Sequence, residues 1–240
     1  MNASAEVLEK EEIDALLKGV DSSEVLVESG ASVPGVVSSY DMATHVRVVR
    51  GRMLTLEMIH ERFARALGAG LFTMLRREPE ITVAPVQLLK FSEYAQSLRL
   101  PTSLNLVRLA PLRGTALFVL DSRLVSTLVD NFFGGTGRSA AVDGREFTGT
   151  EKRIIQMVLR QAFADLQAAW APVNALQIEY LSSEMNAHFV NIVSPSEVVV
   201  VASSRIQLAG GGGELHVTMP YSMLEPIRES FRSDVPVQWT

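Results

Sequence analysis

The stretch that decides the fold lies at residues 103–134, SLNLVRLAPLRGTALFVLDSRLVSTLVDNFFG. Two strand-like runs, 103–110 and 115–121, flank a short turn that contains proline and glycine. A helical pattern then runs from Leu124 to Phe133, and Gly134 follows as a stop signal. The sequence therefore predicts a β-hairpin that leads directly into a short helix.

A second copy of this unit is found when the sequence is aligned with itself at an offset of 99 positions. The shift aligns apolar residues along both strands and the helix, although hairpin–helix units can also look alike by chance. Taken literally, it predicts an α/β domain with pseudo-twofold symmetry and two repeats at about 41–133 and 147–231. The identical pairs are Leu109 with Leu208, Ala110 with Ala209, Gly114 with Gly213 and Phe132 with Phe231.

Two long helices complete the predicted architecture, a three-layer α/β/α domain over residues 41–233. The first runs from about Met42 to Arg77 and contains Gly68 and Gly70, which could bend or break it. The second covers about 148–170 and begins with a capping box of Thr148 and Glu151. The remaining segments are predicted as strands at 81–91, 175–182, 197–207 and 214–219 and a short helix at about 221–231.

The N-terminus has a different character from the domain. Residues 5–19, AEVLEKEEIDALLKG, predict one short amphipathic helix with acidic residues beside an apolar strip. Residues 20–40 are rich in Ser, Gly and small residues, as is typical of a flexible linker. Isolated helices of this length are marginal in water, which favours folding on a partner. A helix docked on the core of the domain is the alternative.

Composition excludes several classes of protein. The 240 residues have a net charge of −5, which argues against nucleic acid or anionic lipid as partners. Cysteine is absent, so disulfides, thiolate metal sites and cysteine nucleophiles are excluded. The N-terminus lacks the pattern of a secretory signal, and no apolar run approaches the length of a membrane helix. These features predict a cytoplasmic protein with protein partners.

Catalytic, metal and cofactor motifs are not evident in the sequence. The four histidines form no metal-binding spacing, and His60 is interpreted as part of a charged surface stretch. The glycines at 134–137 lack the Lys-Ser/Thr of a phosphate loop, and the glycines at 210–213 are interpreted as a hairpin turn. We therefore expect no enzyme activity, no metal, no cofactor and no small-molecule substrate.

One segment resists a purely structural interpretation. Residues 130–138, DNFFGGTGR, join a helix end with two phenylalanines to a glycine loop. Three glycines allow positive φ angles and a close approach by another chain. An ordinary Schellman-type helix stop is the alternative, and composition alone favours it.

Five stretches together resemble the FliM family of flagellar motor switch proteins: EEIDALLKG, HERFARALGAGLFTMLRR, PTSLNLVRLAPLRG, LVDNFFGGTGR and GREFTGTEKRII. The resemblance covers essentially the whole chain, in the same order. It implies that the N-terminal segment, residues 1–19, binds the phosphorylated chemotaxis response regulator CheY. That role falls on Glu12, Ile13, Asp14, Leu16 and Leu17.

The resemblance also implies that the glycine loop binds the rotor protein FliG and that neighbouring copies pack side by side in a ring at the cytoplasmic face of the inner membrane. The FliG-binding role falls on Asp130, Phe133, Gly134, Gly135, Thr136, Gly137 and Arg138. The family's C-terminal domain, which binds FliN, does not follow here, so residues 234–240 are interpreted as the start of that region and FliN binding is expected only through it.

The main rival function comes from the CheC-type phosphatases, which the FliM middle domain resembles in fold. Those enzymes carry a Glu-x-x-Asn pair on each active helix, where the amide orients the attacking water. In this sequence Glu57 is followed at the third position by His60, and Glu151 by Ile154. Without the amide, we do not expect phosphatase activity.

Overall fold

Apolar residues occupy both faces of the central strands, as expected for a sheet covered on two sides. The computed structural model describes residues 53–135 and 145–227. Its helices are α1 (Leu54–Leu75), α2 (Phe91–Ser97), α3 (Ser122–Phe132), α4 (Gly149–Trp170) and α5 (Tyr221–Leu224), with 3₁₀ turns at Ala187–Phe189 and Glu225–Ile227. The strands are β1 (Glu80–Val83), β2 (Gln87–Lys90), β3 (Thr102–Ala110), β4 (Thr115–Asp121), β5 (Gln177–Glu184), β6 (Val198–Leu208) and β7 (Gly211–Pro220).

The strands form one antiparallel sheet in the order β1–β6–β7–β4–β3–β5, with β2 also paired to β6. Helices α1, α3 and α4 cover one face, where Phe118 and Val217 belong to the larger core cluster. Helix α2 covers the other face, where Tyr94 and Val119 belong to the smaller one. This arrangement confirms the predicted three-layer α/β/α fold.

The pseudo-twofold relation is visible in the register of the sheet. β4 pairs with β7 so that Phe118 lies opposite Val217. These are the two residues that the 99-position shift makes equivalent, so the pseudo-axis passes through this pair. On either side the order of strands is mirrored, and the two long helices, α1 and α4, each contain 22 residues. The sequence shift therefore coincides with the symmetry of the sheet.

Helix α1 is continuous through both of its glycines. A Cβ on Gly70 would lie 2.6 Å from Cγ of Gln161 on α4, so the absent side chain permits a close approach of the two helices. The prediction that these glycines could bend or break the helix was therefore wrong within the described residues. The proposed start at Met42 lies outside them, and α1 begins at Leu54.

The strand predicted at 81–91 was wrong in one respect, because the structure divides it. Both β1 and β2 pair with β6, and Pro85 lies between them. Proline has no N–H group to donate to the sheet, which explains the interruption at an edge. Helix α2 begins at Phe91, a helix that the sequence interpretation omitted.

His60 is buried, and its interpretation as part of a charged surface was wrong. Its side chain is 1% exposed, because it belongs to the face of α1 that packs on the sheet. The glycines at 210–213 also differ from a simple turn, since Gly210 lies in the turn and the next three begin β7. Within the described ranges, no helix combines the length and apolarity needed to cross a bilayer.

Candidate partner-binding loop

Helix α3 presents the glycine loop at its C-terminus and is capped at both ends. At the start, Oδ1 of Asp121 accepts a hydrogen bond of 2.6 Å from the backbone N–H of Leu124. At the end, the N–H of Gly134 donates to the carbonyl of Asn131 and that of Gly135 to the carbonyl of Asp130, at 3.0 and 2.8 Å. These two bonds form a Schellman motif, with Gly134 at a φ of 79°. These hydrogen bonds confirm the helix stop and fix the backbone at Gly134 and Gly135.

Gly134 and Gly135 have different structural requirements. A Cβ on Gly134 would meet no atom within 4 Å, so only the positive φ angle favours glycine there. A Cβ on Gly135 would lie 2.3 Å from Oδ1 of Asp130, so that carboxylate would have to move. Asp130 and Gly135 are thus in direct contact, as their joint assignment to one site requires.

A residue distant in sequence also contacts the loop. Nη2 of Arg77 donates a hydrogen bond of 3.1 Å to the carbonyl of Gly135. Arg77 follows Arg76, whose left-handed conformation ends helix α1. The loop is therefore tied to the end of α1, across 58 positions of sequence. Sequence reasoning missed Arg77, because no local pattern distinguishes it from other surface arginines.

The buried side chain of Asn131 anchors the last turn of α3. Its side chain is 2% exposed, and Nδ2 donates to the carbonyl of Thr127 at 2.8 Å and to that of Ala209 at 3.4 Å. The second bond joins α3 to the turn between β6 and β7. This residue was also absent from the predicted site, although it positions the loop.

Two phenylalanines project beside the loop. Phe133 is 66% exposed and Phe132 is 36% exposed, and their rings meet edge to face with centroids 5.5 Å apart. Phe133 lies on the side of the helix opposite Leu124 and Leu128, whereas Phe132 follows Leu128 by four residues and lies at the border of the buried face. Large exposed aromatic side chains at a rigid site are typical of protein interfaces.

The structure brings together four of the seven residues predicted for the loop, namely Asp130, Phe133, Gly134 and Gly135. Thr136, Gly137 and Arg138 lie outside the described residues. So does the predicted CheY-binding set, Glu12, Ile13, Asp14, Leu16 and Leu17.

The candidate phosphatase positions serve structural roles. His60 faces the core, so it cannot reach a partner bound to the outer surface of α1. On α4, the Glu151 carboxylate accepts two hydrogen bonds from Arg145, at 2.7 and 2.9 Å, and one from the backbone N–H of Thr148. The Arg145 guanidinium in particular lowers the pKa of Glu151 to about 2. Ile154 is buried. Neither pair offers a side chain that could orient water.

The described histidines and acidic residues include no group of three that could hold a metal ion. His216 has partners on both ring nitrogens, with the Tyr94 hydroxyl 3.2 Å from Nδ1 and a Glu214 oxygen 3.2 Å from Nε2. It is a structural histidine with both ring nitrogens in hydrogen bonds.

Replacement of Gly134 by alanine should cost about 1 kcal/mol of stability, because alanine must adopt a left-handed backbone conformation. For a chain of this size, that corresponds to a fall of roughly 2–4 °C in the melting temperature. Gly149→Ala is the matched control, since Gly149 lies in the first turn of α4 with open space and no positive φ. Calorimetry should show no loss for the control, and equal losses would contradict the role given to φ.

Comparison with known proteins identifies the family. The family model for the flagellar motor switch protein FliM matches residues 49–235. FliM of Pseudomonas aeruginosa is 58% identical over 97% of this chain and 73% of its own length, and FliM of Escherichia coli is 46% identical over 93% and 67%.

Solved structures agree with this result. The FliM middle domain of Vibrio alginolyticus is 54% identical and superposes with a TM-score of 0.68 over 73% of this chain and 99% of its own. A FliG–FliM complex from Helicobacter pylori gives a TM-score of 0.70 at 26% identity, over 75% and 98%. FliY of Thermotoga maritima shares the fold at 18% identity. With the family model covering most of its length and close relatives matched nearly throughout, this chain belongs to the FliM family of flagellar motor switch proteins.

Proposed function

We propose that this chain couples chemotaxis signalling to the direction of flagellar rotation by binding FliG through the loop at 130–138 and phosphorylated CheY through its N-terminal segment. The observation that carries the FliG proposal is the exposed pair Phe132 and Phe133, held at the end of a capped helix. The complex solved for the H. pylori relative contains FliG, which supports the same partner here.

The rigidity of the loop favours binding. Hydrogen bonds from Arg77, Gly134 and Gly135 fix the backbone of residues 130–135, so little conformational entropy is lost there when a partner docks. Phe133 supplies a large apolar surface, and Asp130 and Arg77 provide charge at its border. Calorimetry with the full chain and purified FliG tests this proposal, and no measurable affinity would overturn it.

For CheY, we predict that a peptide of residues 1–19 binds the phosphorylated regulator more tightly than the unphosphorylated one. Its short apolar strip can bury only a small interface, so affinity should be micromolar or weaker, on the order of −8 kcal/mol. Leu16→Ala should weaken binding, while Ser22→Ala in a peptide extended to residue 28 should not. Fluorescence titration measures both, and equal affinity for the two regulator states would contradict the proposal.

Neighbouring copies are proposed to pack side by side, and a groove of about 870 Å³ between α1 and β1 supports this arrangement. On the α1 side, the small residues Ala64 and Gly68 line the groove, and Phe72, which is 49% exposed, lies at its border. The groove between α4 and β5 in the second repeat is smaller, about 230 Å³, and is lined by Phe163, whose ring centroid lies 4.9 Å from that of Phe118. Sedimentation velocity over a concentration series tests the proposal, and a monomer at every concentration would count against it.

Residues on α1 and α4 support the proposal that this chain is an adaptor without phosphatase activity. His60 is buried, and the Glu151 carboxylate is held by Arg145 and Thr148. The side chains that catalysis by the CheC-type enzymes requires are therefore not available on these helices. Phosphate release from phosphorylated CheY above background would overturn this part of the proposal. The domain boundaries, the cytoplasmic location at the inner membrane and FliN binding through a region after residue 240 stay predictions from the resemblance.

A further inference from the structure

A second concave site lies on the sheet face that carries α2, away from the glycine loop. It is a cleft of about 610 Å³ bordered by α2, the first turn of α3 and the polar face of β6 and β7. Its floor includes Tyr94, whose side chain is almost fully buried. This volume is within the range of pockets that hold small molecules.

Both carboxylates in the cleft already have hydrogen-bond donors. The two oxygens of Asp121 accept from the backbone N–H groups of Leu124 and Glu214, at 2.6 and 3.1 Å. The Glu214 side chain pairs with Arg205 at 3.0 Å and with His216 at 3.2 Å. The acceptor capacity of these acids is therefore largely used within the protein.

Two cationic side chains in the cleft have donors that the described part of the protein does not use. Arg99 and Arg123 both line the cleft, one just after α2 and the other in the first turn of α3. Both are exposed, and neither guanidinium has a partner among the described residues. The Thr102 hydroxyl donates to the backbone carbonyl of Arg99, which fixes the chain at that side of the cleft. Guanidinium groups bind carboxylates and phosphates through paired, charge-assisted hydrogen bonds.

We propose that this cleft binds a small anion carrying carboxylate or phosphate groups, held between the guanidinium groups of Arg99 and Arg123. Tyr94 and His216 provide a polar floor, and Arg205 neutralises the Glu214 carboxylate that would otherwise repel an anion. A metabolite-sized ligand fits the enclosed volume. None of these residues belongs to the glycine loop, so the site is separate from the proposed FliG contact.

Helix α3 connects the two sites. Arg123 lies in its first turn and Phe132 in its last, about 13.5 Å apart along an 11-residue helix. A ligand in the cleft would thus contact the element that presents the loop. The proposal does not depend on FliG binding, and its test uses no FliG.

The test measures binding of four probes to the full chain: succinate, citrate, inorganic phosphate and adenosine monophosphate, each at constant ionic strength against sodium chloride. A probe at a hundred times its Kd should raise the melting temperature by about 5–11 °C. In imidazole NMR spectra it should shift the signals of His216, while those of buried His60 stay unchanged. Binding by only the carboxylate or only the phosphate probes would support the proposal and identify the group.

Variants locate the site. Arg99→Gln and Arg123→Gln should each weaken binding at least tenfold, and both residues are exposed, so neither change should unfold the chain. Arg113→Gln, at an exposed arginine in the turn between β3 and β4, is the matched control and should bind like the parent. The proposal is overturned if no probe binds more tightly than chloride, or if both cleft variants retain the parent affinity.

Discussion

Replacing Phe133 with serine is expected to weaken FliG binding by roughly 30-fold or more while leaving the melting temperature within about 1 °C. The ring is 66% exposed, so its loss creates no cavity in the core. In a complex, an aromatic side chain at the centre of a small interface commonly contributes 2 kcal/mol or more. Calorimetry with purified FliG and differential scanning calorimetry of the variant alone measure the two effects separately.

Phe189→Ser is the matched control for this change. Phe189 is 74% exposed, but it lies in a 3₁₀ turn after β5 instead of beside the loop. The control should have the same small effect on stability and no effect on FliG affinity. If the Phe133 variant binds FliG as tightly as the control does, the aromatic pair is not part of the interface.

The glycine loop shows what local sequence can predict. The apolar spacing of α3 and the following Gly134 predicted the helix and its end, and the same periodicity places Phe133, but not Phe132, on the side opposite Leu124 and Leu128. The Schellman motif confirms the structural interpretation of Gly134. Helix stop and partner site are compatible, because the same hydrogen bonds that end the helix also fix the backbone of Gly134 and Gly135 beside Phe133.

Contacts between distant segments could not be predicted in this way. Arg77 reaches Gly135 because α1 ends beside α3, which depends on how both helices pack on the sheet. Asn131 is an ordinary polar residue in sequence, yet its amide joins α3 to the turn at Ala209. Helix α2 was missed because its seven residues are too few for a clear helical period.

His60 shows how one polar residue can mislead. It begins the stretch HERFAR, and the charged neighbours Glu61, Arg62 and Arg65 suggested a surface location. Helical geometry instead places position 60 beside Ile59 and Phe63 on the inner face. Its ring meets that of Phe63 edge to face, with centroids 6.3 Å apart, and Nε2 has no hydrogen-bond partner in the described part of the chain.

This burial should make the folded domain sensitive to acid. Desolvation lowers the pKa of His60 from 6.5 to about 4, because a charged imidazolium would be unfavourable in the core. The unfolded chain therefore binds one more proton than the folded chain between these two values. Stability from this residue is fully present above pH 6.5, falls as the pH drops towards 4, and changes no further below that. The total loss is about 3 kcal/mol, at about 1.4 kcal/mol per pKa unit.

His60→Leu is expected to remove this loss. At pH 7 the variant should be about as stable as the parent or slightly more stable, since leucine leaves no unpaired polar atom in the core. At pH 4 it should exceed the parent by about 3 kcal/mol. Urea unfolding at both pH values measures the difference, and His188→Gln, at an exposed histidine, should keep the pH dependence of the parent. Because acidic residues titrate equally in parent and variant, an unchanged pH dependence in His60→Leu would mean that the buried imidazole does not cause the acid sensitivity.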